Sequence, residues 1–422
     1  MPVACILSIG TELTLGQTVD TNGAWLAREL AALGLRATRH LTVPDDHELI
    51  RAAFVDAAGH ADVIVATGGL GPTADDLTRA AVAAAAGDTL VLDADSLAQI
   101  EAFFTARGRT MPPPNRVQAE RPSRARPLPN TCGTAPGLAL QLGDAACFVL
   151  PGVPQEMVAM FAEHVRPALA ARFAGAVVRC RRLQTFGLPE SELGEQIRDL
   201  MQRGRNPEVG TTAAHGVIGI RINATAASPA GADELLAATE HDLRTRLGPA
   251  VFGTDDDTLA AAVGRLLAAG HCTLAVAESC TGGLIGRQLT DVPGASTYFL
   301  GGVIAYANEA KAALLGVASA TLAAHGAVSA PAAVEMARGV QARLGTDYAL
   351  AVTGVAGPGG GTPAKPVGLV YLGLATPAGV TAREQRYGEL PRELIRQRAA
   401  AAALDWLRRE LLATQATTAE PV

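Results

Sequence analysis

The stretch "LAVAESCTGG", residues 274–283, brings several polar and reactive side chains together in one short turn. An apolar run ends on Glu278, and Ser279, Cys280 and Thr281 follow before two glycines. The pattern predicts a strand that ends in a turn and leads into a helix, at the edge where α/β sheets hold ligands. Hydroxyls and free N–H groups there suit a phosphate. Ser279 or Cys280 is a nucleophile candidate if a base lies within hydrogen-bond reach.

A lysine is the candidate base in this region. The chain has two lysines, Lys311 and Lys365, and both fall in the loops of its last third. A lysine serves as a base when burial lowers its pKa, and a Ser–Lys pair is a known variant of the catalytic triad. The segment "PGASTYFLGGVIAYANEAKAALLG" places Ser296 and Tyr306 close to Lys311 in sequence. The alternative to a catalytic role is that Lys311 is an ordinary helix residue exposed to solvent.

A second group of chemical residues lies near the start of the chain, in "TGGLGPTADD", residues 67–76. Glycines at 68, 69 and 71 let backbone N–H groups approach an anion, and the following helix N-terminus adds a favourable dipole. Asp75 and Asp76 suit a hydrated divalent cation that bridges to a phosphate. The alternative interpretation is a tight strand-to-helix turn with acidic residues in the first helical turn.

Three further loops carry polar residues and follow predicted strands. They contribute Glu12, Asp20 and Asn22 from the first, Asn130, Gly133 and Thr134 from the second, and Glu156 from the third. Four such loops are hard to explain as turns alone. Because the carboxyl ends of parallel strands meet at one edge of a sheet, we expect these loops to lie together.

The order of predicted elements indicates three domains of α/β type. Strands alternate with helices up to about residue 172, which indicates βαβ units and a parallel, doubly wound sheet. A small α+β domain follows over residues 173–254, and a second βαβ-rich, three-layer domain covers residues 255–415. The proline-rich stretch "MPPPNRVQAERPSRARPLPN" cannot form one continuous helix and is expected to be a connection or a flap.

Composition excludes several classes of protein. The formal net charge is −6, whereas proteins that bind nucleic acids usually carry an excess of positive charge. The six cysteines form no CxxC pair, so neither a zinc knuckle nor a redox dithiol is indicated, and the thiols are expected to be reduced. The N-terminus lacks the charged region of a signal peptide, and no apolar run is long enough to cross a membrane. We therefore expect a cytoplasmic location.

Four motifs of the first domain resemble those of a known family. "GTELTLGQTVDTNGAWLA", "TGGLGPTADDLT", "PNTCGTAPG" and "LPGVPQEM" are similar to the molybdopterin-binding-like (MoaB/Mog-like) domain that begins members of the competence/damage-inducible CinA family, and "AESCTGG" matches the other half of that family. The resemblance implies a metal-dependent ADP-ribose pyrophosphatase, with the glycine loop on the diphosphate and Asp75 and Asp76 at a divalent metal. The implied nucleotide site comprises Glu12, Asp20, Asn22, Gly68, Gly69, Gly71, Thr73, Asn130 and Thr134.

The middle segment resembles a KH domain in that family. KH domains clamp single-stranded nucleic acid with a GxxG loop between helices. The GxxG here is "GVIG", residues 216–219, and it falls in a predicted strand. Together with the acidic charge, this position favours a spacer or dimerisation role, and we expect a homodimer rather than a nucleic-acid partner.

The last domain resembles the nicotinamide mononucleotide amidohydrolase (PncC) family. The resemblance implies Ser296 as the nucleophile, Lys311 as the base and Tyr306 as a third catalytic residue. It places Ser279, Thr281, Gly282 and Thr353 on the substrate, together with one arginine of "GELPRELIR". This segment departs from the family's "GDRxxxR"-like pattern, so both Arg396 and Arg392 are candidates for that arginine, and Arg396 is favoured.

The resemblance thus implies a bifunctional pyridine-nucleotide salvage enzyme. Its substrates would be nicotinamide mononucleotide and ADP-ribose, and the amide hydrolysis would need no cofactor. Two alternatives stay open: a molybdopterin-related nucleotidyltransferase, and a competence-associated protein that binds nucleotides without catalysis. Neither alternative explains why the chain keeps both Ser296 and Lys311.

Overall fold

The computed structural model describes the backbone of residues 2–173, 175, 177–214 and 216–419, and the side chains as far as Gln415. The chain forms two compact units. The first comprises the residues up to Cys180 together with Asn223–Leu236, and the second comprises Arg181–Ile222 together with the chain from Ala237. No helix in the described part of the chain is both long and apolar enough to span a membrane.

The N-terminal domain is built on a six-stranded sheet. Its elements are β1 (Val3–Ile9), α1 (Thr11–Thr14), α2 (Thr21–Ala32), β2 (Arg36–Val43), α3 (His47–Ala58), β3 (Val63–Thr67), α4 (Thr78–Ala85), β4 (Leu90–Leu92), α5 (Ala94–Thr105), β5 (Glu120–Pro122), β6 (Arg126–Leu128), β7 (Gly137–Leu142), β8 (Ala145–Leu150), α6 (Pro154–Met160) and α7 (Arg166–Arg172). The strand order is β2-β1-β3-β8-β7-β6. The first four of these strands are parallel, and β7 and β6 are antiparallel additions.

Apolar layers on both faces of this sheet explain why its central strands are apolar at nearly every position. Leu7 of β1 packs in one cluster with Phe54 of α3, and Ile6 of the same strand packs in the other with Leu26 of α2 and Phe161. Successive side chains of a strand point to opposite faces, so a strand covered on both sides is apolar along most of its length. The doubly wound architecture expected from the sequence is therefore present.

The middle domain has a four-stranded sheet with two helices. Its elements are β9 (Val177–Phe186), α8 (Glu190–Gln196), β10 (Glu208–Ala214), β11 (Val217–Ala226), α9 (Pro229–Leu247) and β12 (Val251–Thr254), with strand order β10-β11-β9-β12. The GxxG motif begins at Gly216, in the turn before β11, and continues into that strand. As the sequence predicted, this motif does not form a loop between two helices.

The C-terminal domain is a three-layer α/β domain. Its elements are α10 (Leu259–Ala269), β13 (Leu274–Glu278), α11 (Leu284–Thr290), β14 (Phe299–Ile304), α12 (Asn308–Leu315), α13 (Ser319–His325), α14 (Ala330–Leu344), β15 (Tyr348–Gly354), β16 (Leu369–Thr376), β17 (Gly379–Arg386) and α15 (Arg392–Ala419). The strand order is β14-β13-β15-β16-β17, and β13 is parallel to both of its neighbours. The carboxyl ends of β13, β14 and β15 therefore share one edge of the sheet.

Candidate active sites

A cavity of about 180 Å³ opens at the shared carboxyl edge of the C-terminal sheet. The residues that line it come from the segments after β13 and β14, from the end of β15 and the segment after it, from the segment before α14 and from α15. They are Ser279, Cys280, Tyr306, Lys311, Ala327, Val328, Thr353, Gly354, Ala356 and Arg392. Crevices at this edge are where open α/β sheets bind ligands. The cavity is smaller than a typical whole-ligand pocket, so it suits one ring of a larger substrate.

The central contact of this cavity joins Lys311 to Ser279. Lys311 is 1% exposed, and its Nζ lies 3.0 Å from Ser279 Oγ. The same nitrogen donates to the carbonyl oxygens of Ala305 (2.9 Å) and Tyr306 (3.0 Å). A neutral amine keeps two N–H groups for the two carbonyls and has a lone pair for the hydroxyl hydrogen of Ser279. This geometry is that of a nucleophile and its base.

Burial of Lys311 shifts its pKa in the direction that a base requires. Removal of the ammonium group from water lowers the pKa of Lys311 below its ordinary value of 10.5. A lower pKa increases the fraction of neutral amine near neutral pH, which is the form that accepts a proton. No carboxylate is among the residues that line the cavity with Lys311. The alternative interpretation, that Lys311 is a helix residue exposed to solvent, is therefore wrong.

The expected pairing of Ser296 with Lys311 is not present in the structure. Ser296 lies in a short 3-10 helix just before β14, whereas Lys311 lies in α12, just after that strand. A six-residue strand is roughly 20 Å long at about 3.3 Å per residue, so the two side chains lie at opposite ends of β14. Ser296 is exposed and does not line the cavity. Ser279 occupies the position beside Lys311 instead.

Glu278 was not predicted as a site residue. Its contacts show that the N–H groups of this turn, which were expected to be free, are already bonded. Its buried carboxylate accepts hydrogen bonds from the N–H groups of Gly283 (2.9 Å), Ile285 (3.2 Å) and Gly286 (2.8 Å). These groups belong to the N-terminus of α11, where a negative charge is stabilised by the helix dipole. The chain thus supplies its own anion at the place where a phosphate was expected. An acidic residue directly before a turn into a helix was the available sequence signal.

Tyr306 and Thr353, both predicted from the resemblance, line the cavity. The Tyr306 hydroxyl accepts a hydrogen bond from Arg392 Nη2 at 2.9 Å, and most of the tyrosine side chain is exposed. The Thr353 hydroxyl donates to the Ala327 carbonyl at 2.8 Å, which joins the end of β15 to the segment before α14. Tyr306 therefore contributes to the rim of the cavity and Thr353 to its wall.

The two candidate arginines have different positions. Arg392 lines the cavity and donates to the Gly357 carbonyl at 2.8 Å. Arg396, which the sequence favoured, donates to the Thr281 carbonyl at 2.7 Å and is not among the lining residues. Thr281 is itself fully buried and Gly282 does not line the cavity, so these two predicted substrate residues support the turn. Arg392 is the arginine that can reach a ligand.

Cys280 also lines this cavity, next to the nucleophile candidate. Burial raises the pKa of its thiol to about 11. The thiol is therefore protonated at neutral pH, and a protonated thiol is a poor nucleophile. Cys280, a nucleophile candidate from the sequence, is therefore a buried residue of the cavity wall.

In the N-terminal domain, two adjacent cavities open at the carboxyl edge of β1, β3 and β8. The first, about 150 Å³, is lined by Glu12, Asp20 and Asn22 together with Thr67 and Gly152. Asn22 Nδ2 donates to the Gly152 carbonyl at 2.8 Å, which ties the loop after β1 to the loop after β8. Asp20 has a structural role as well, because it caps α2 through the Gly23 N–H at 2.7 Å. All three residues predicted from the first loop lie here.

The second cavity, about 360 Å³, contains the glycine loop. Its lining residues are Gly69, Leu70, Gly71, Pro72, Asp76, Gln118, Thr134, Ala135, Pro151, Gly152, Val153 and Glu156. Asn130 contacts this cavity indirectly, because its Nδ2 donates to Glu156 Oε2 at 2.6 Å and its Oδ1 accepts from the Gly133 N–H at 2.8 Å. The structure therefore brings the glycine loop together with the loops that contain Thr134 and Glu156.

Backbone geometry accounts for two of the loop glycines. Gly68 and Gly69 have positive φ angles of 110° and 66°. A Cβ on Gly68 would lie 2.1 Å from the Ile9 carbonyl oxygen, and one on Gly69 would lie 2.1 Å from Thr78 Oγ1. Both positions exclude a side chain. Arg79, another residue missed from the sequence, is buried under the loop and donates to the Leu70 and Gly71 carbonyls at 2.6 and 2.8 Å.

Asp75 and Asp76, predicted as a metal pair, have different surroundings. Asp76 accepts from the Gly71 N–H at 2.7 Å and from the Thr73 N–H at 2.8 Å and hydroxyl at 2.5 Å, so it closes the glycine loop. Asp76 lines the larger cavity, whereas Asp75 is exposed and does not. The described residues contain no group of three or more His, Cys, Asp or Glu side chains that could hold a metal ion. The carboxylate that shares the cavity with Asp76 is Glu156.

Comparison with known protein families matches each of the three domains. Residues 5–171 match the family described as "Probable molybdopterin binding domain", residues 180–253 match "Damage-inducible protein CinA KH domain", and residues 256–411 match "CinA C-terminal domain". The three matches follow the order of the domains expected from the sequence.

Relatives match over nearly the whole chain. A "CinA-like protein" of Gloeobacter violaceus is 47% identical over 414 residues and covers 97% of both chains. A "CinA-like protein" of Geobacter sulfurreducens is 46% identical over 408 residues, covering 96% of this chain and 98% of the relative. Among solved structures, the competence/damage inducible protein CihA from Agrobacterium tumefaciens is 42% identical, covering 36% of this chain and 93% of that chain, with a TM-score of 0.36.

Proposed function

Because the chain belongs to the CinA family of competence/damage-inducible proteins, we propose that its C-terminal domain hydrolyses the carboxamide of nicotinamide mononucleotide. The products are nicotinate mononucleotide and ammonia. The observation that carries the proposal is the buried contact of 3.0 Å between Lys311 Nζ and Ser279 Oγ. In this mechanism Ser279 has the nucleophilic role that the sequence assigned to Ser296.

The reaction proceeds through a covalent ester. Neutral Lys311 takes the hydroxyl proton of Ser279 as the Ser279 oxygen attacks the amide carbon. The Lys311 ammonium then returns this proton to the departing nitrogen, which leaves as ammonia. Water attacks the ester, Lys311 removes a proton from it, and that proton restores the Ser279 hydroxyl as the acid is released. The overall stoichiometry is one amide and one water to one carboxylic acid and one ammonia.

The lining of the cavity suits the rest of this substrate. The pyridinium ring carries a positive charge, and the ring of Tyr306 at the rim offers an aromatic face to such a cation. The phosphate carries a negative charge, and Arg392 is the lining residue other than Lys311 that is cationic. Because Arg392 already donates to the Tyr306 hydroxyl, the two rim residues form one unit that orients the nucleotide.

The test compares two serine variants of the full-length protein. Ser279→Ala is expected to lower ammonia release from nicotinamide mononucleotide by at least about 10³-fold, the usual loss on removal of a nucleophile. Ser296→Ala is the matched control and is expected to stay within a few-fold of the parent protein, because Ser296 is exposed and lies at the other end of β14. Equal melting temperatures check the folds. Loss of activity in Ser296→Ala with retention in Ser279→Ala would overturn the assignment.

For the N-terminal domain we propose metal-dependent cleavage of the diphosphate of ADP-ribose. Its support is the cavity of about 360 Å³ that places the glycine loop beside Asp76 and Glu156. Two carboxylates and the phosphate oxygens of a substrate are a ligand set that Mg²⁺ accepts. Asp76 and Glu156 are therefore the residues that would hold a divalent ion, and such an ion would neutralise charge that develops in the transition state.

Chelation separates the two activities. A chelator is expected to abolish ADP-ribose cleavage and to leave ammonia release from nicotinamide mononucleotide unchanged, with recovery when Mg²⁺ is added back. Glu156→Gln is expected to have the same selective effect, with Glu163→Gln, an exposed glutamate in the same region, as control. Loss of both activities on chelation would contradict the metal-free mechanism at Ser279.

A further inference from the structure

A crevice of about 520 Å³ lies between the sheet of the middle domain and the helices of the C-terminal domain. All of its described lining residues belong to the second compact unit. They come from β9, β11 and β12 on one side, and from α10, α11, α15 and the segments next to these helices on the other. None of the described residues that line the two proposed catalytic sites lines it as well. Clefts of this volume at domain junctions are common binding sites for small molecules.

The inner wall of the crevice is apolar and partly aromatic. Phe252 and Leu404 belong to the hydrophobic core of the C-terminal domain, and Val217 and Leu284 pack against that core. The sheet contributes Phe252 and Val217, and the helices contribute the two leucines. A phenyl ring and branched aliphatic side chains suit the flat faces of an aromatic ring system. The wall therefore favours a ligand that contains a planar ring.

Three glutamines, Gln184, Gln288 and Gln397, add hydrogen-bonding groups to this wall. Gln184 Nε2 donates to the carbonyl of Asp255, which leaves the Gln184 amide oxygen as an acceptor. Gln397 Nε2 donates to Glu393, and Gln397 Oε1 is buried without a partner among the described residues. The Gln288 side chain is half-buried, and its amide has no hydrogen bond to any described residue. A free glutamine amide can pair through two hydrogen bonds with the adenine edge that carries N6 and N7.

The charged side chains of the crevice already have partners of opposite charge. Arg287, the one cation among the described lining residues, pairs with Asp291 at 3.6 Å. Asp257 pairs with Arg265 at 2.7 Å. A phosphate would therefore find no unpaired cation among these residues and would face two carboxylates, which disfavours an anionic ligand. The carboxylate oxygens keep lone pairs that accept hydrogen bonds from hydroxyl groups, such as those of a sugar.

We propose that the crevice binds an uncharged purine nucleoside. The apolar wall takes the faces of the purine ring, and the Gln288 amide pairs with its polar edge. The ribose lies at the rim, where Asp257 and Asp291 accept hydrogen bonds from its hydroxyl groups. A buried acceptor without a donor is unfavourable, and a ligand N–H group near Gln397 Oε1 removes that cost.

Two helices link the crevice to the proposed catalytic cavity. Helix α15 carries Arg392 at the catalytic cavity and Gln397 at the crevice. Helix α11 begins at Leu284, which lines the crevice, and its N-terminus holds the carboxylate of Glu278 beside Ser279. A nucleoside that contacts both helices favours the arrangement in which both are in place. It is therefore expected to activate amide hydrolysis, and this consequence, unlike the binding itself, rests on the proposed function.

Photolabelling of the full-length protein with 2-azidoadenosine, followed by peptide mass spectrometry, measures occupancy of the crevice separately from that of any other site. Labels are expected within residues 252–260, 284–292 or 397–404, and unlabelled adenosine should compete with them. Labels confined to other parts of the chain would overturn the proposal. AMP is expected to compete more weakly than adenosine, because its phosphate has no free cation to pair with. Stronger competition by AMP would contradict an uncharged ligand.

Two variants of α11 test the contact with the base. Gln288→Ala is expected to weaken adenosine competition about tenfold, because it removes the paired hydrogen bonds. Thr290→Ala is the matched control, since Thr290 lies on the same helix but does not line the crevice, and it should behave as the parent protein does. Equal melting temperatures check the folds. Parent-like competition in Gln288→Ala would overturn the assignment of the site.

Ammonia release separates this proposal from the proposed function. Adenosine is expected to raise kcat/KM for nicotinamide mononucleotide about fivefold in the parent protein and to have a smaller effect in Gln288→Ala at the same concentration. If the crevice is labelled but no ammonia is released with or without adenosine, the binding site stands and the proposed function fails. If ammonia is released but the crevice is not labelled, the function stands and the binding site fails. A labelled crevice with an unchanged rate would contradict the activation.

Discussion

Substitution of Glu278 by glutamine is expected to destabilise the C-terminal domain. The carboxylate accepts three hydrogen bonds, from the N–H groups of Gly283 and Ile285 on one oxygen and from that of Gly286 on the other. A glutamine amide has one oxygen, so its best orientation keeps the first two bonds and turns an NH₂ group toward Gly286. A buried donor without a partner costs about 1–3 kcal/mol. Loss of the negative charge at the N-terminus of α11 costs about 0.3–1 kcal/mol more.

The expected total is therefore about 1.3–4 kcal/mol. A domain of this size loses roughly 2–4 °C of melting temperature per kcal/mol, so Glu278→Gln is expected to melt roughly 3–16 °C lower. Trp406 lies in the core of the C-terminal domain and Trp25 in the other unit. Fluorescence of Trp406 in a Trp25→Phe background therefore reports this transition alone.

Two comparisons make the measurement decisive. Glu309→Gln removes an exposed glutamate in the first turn of α12 and is expected to shift the transition by less than about 0.5 kcal/mol. Glu278→Ala leaves the three N–H groups without an acceptor, and added formate is expected to restore part of the lost stability by binding among them. An unchanged melting temperature in Glu278→Gln would refute the assignment of the buried carboxylate as the anion of this helix.

Three further outcomes are expected. The rate of ammonia release should rise with pH through the pKa of Lys311, because the neutral amine is the active form. It should reach its plateau below pH 10.5, because burial lowers that pKa. A rate that falls over this range would contradict the role of Lys311 as the base. Arg392→Ala should raise KM for nicotinamide mononucleotide about tenfold or more with little change in kcat, whereas Arg396→Ala should leave KM near the parent value, as steady-state kinetics will show. Gly68→Ala should destabilise the N-terminal unit by about 3 kcal/mol or more in Trp25-monitored melting, because its φ of 110° and the Ile9 carbonyl exclude a side chain.

The fold and the location of both sites follow from simple rules. Apolar strands followed by helices predict parallel sheets, and polar loops after those strands predict sites at their carboxyl edge. Lys311 lines one cavity, and Asp76 and Thr134 line another, as those rules require, whereas Thr353 of the first cavity was expected from the family resemblance. Element type and order fix these positions, and no knowledge of side-chain conformation is needed.

The identity of the pair at the C-terminal site did not follow in the same way. Ser296 is nearer to Lys311 in sequence than Ser279 is, yet strand β14 separates it from the lysine. Ser279 and Lys311 follow two neighbouring parallel strands, whose last residues, Glu278 and Ile304, are partners in the sheet. Strand register therefore outweighs sequence distance, and the order of strands in a sheet is set by tertiary packing.

The roles of the acidic residues were also beyond the sequence. A carboxylate beside a glycine turn is equally compatible with a metal ligand, a helix cap and a loop closure. Glu278 caps α11, and Asp76 closes the glycine loop as well as lining the cavity proposed for a metal, because particular N–H groups lie within 3.2 Å of them. Such choices depend on side-chain rotamers and backbone geometry that composition and spacing do not determine.

The state of the Cys280 thiol affects how the C-terminal cavity withstands oxidants. Peroxide and alkylating reagents attack the thiolate, and with a pKa of about 11 only about 10⁻⁴ of this thiol is ionised at pH 7. Exposed Cys132, in the other unit, is accessible to the same reagents. An exposure to hydrogen peroxide that oxidises Cys132 is therefore expected to leave ammonia release intact, and the cavity keeps a sulfur atom beside its nucleophile without becoming a redox-sensitive site.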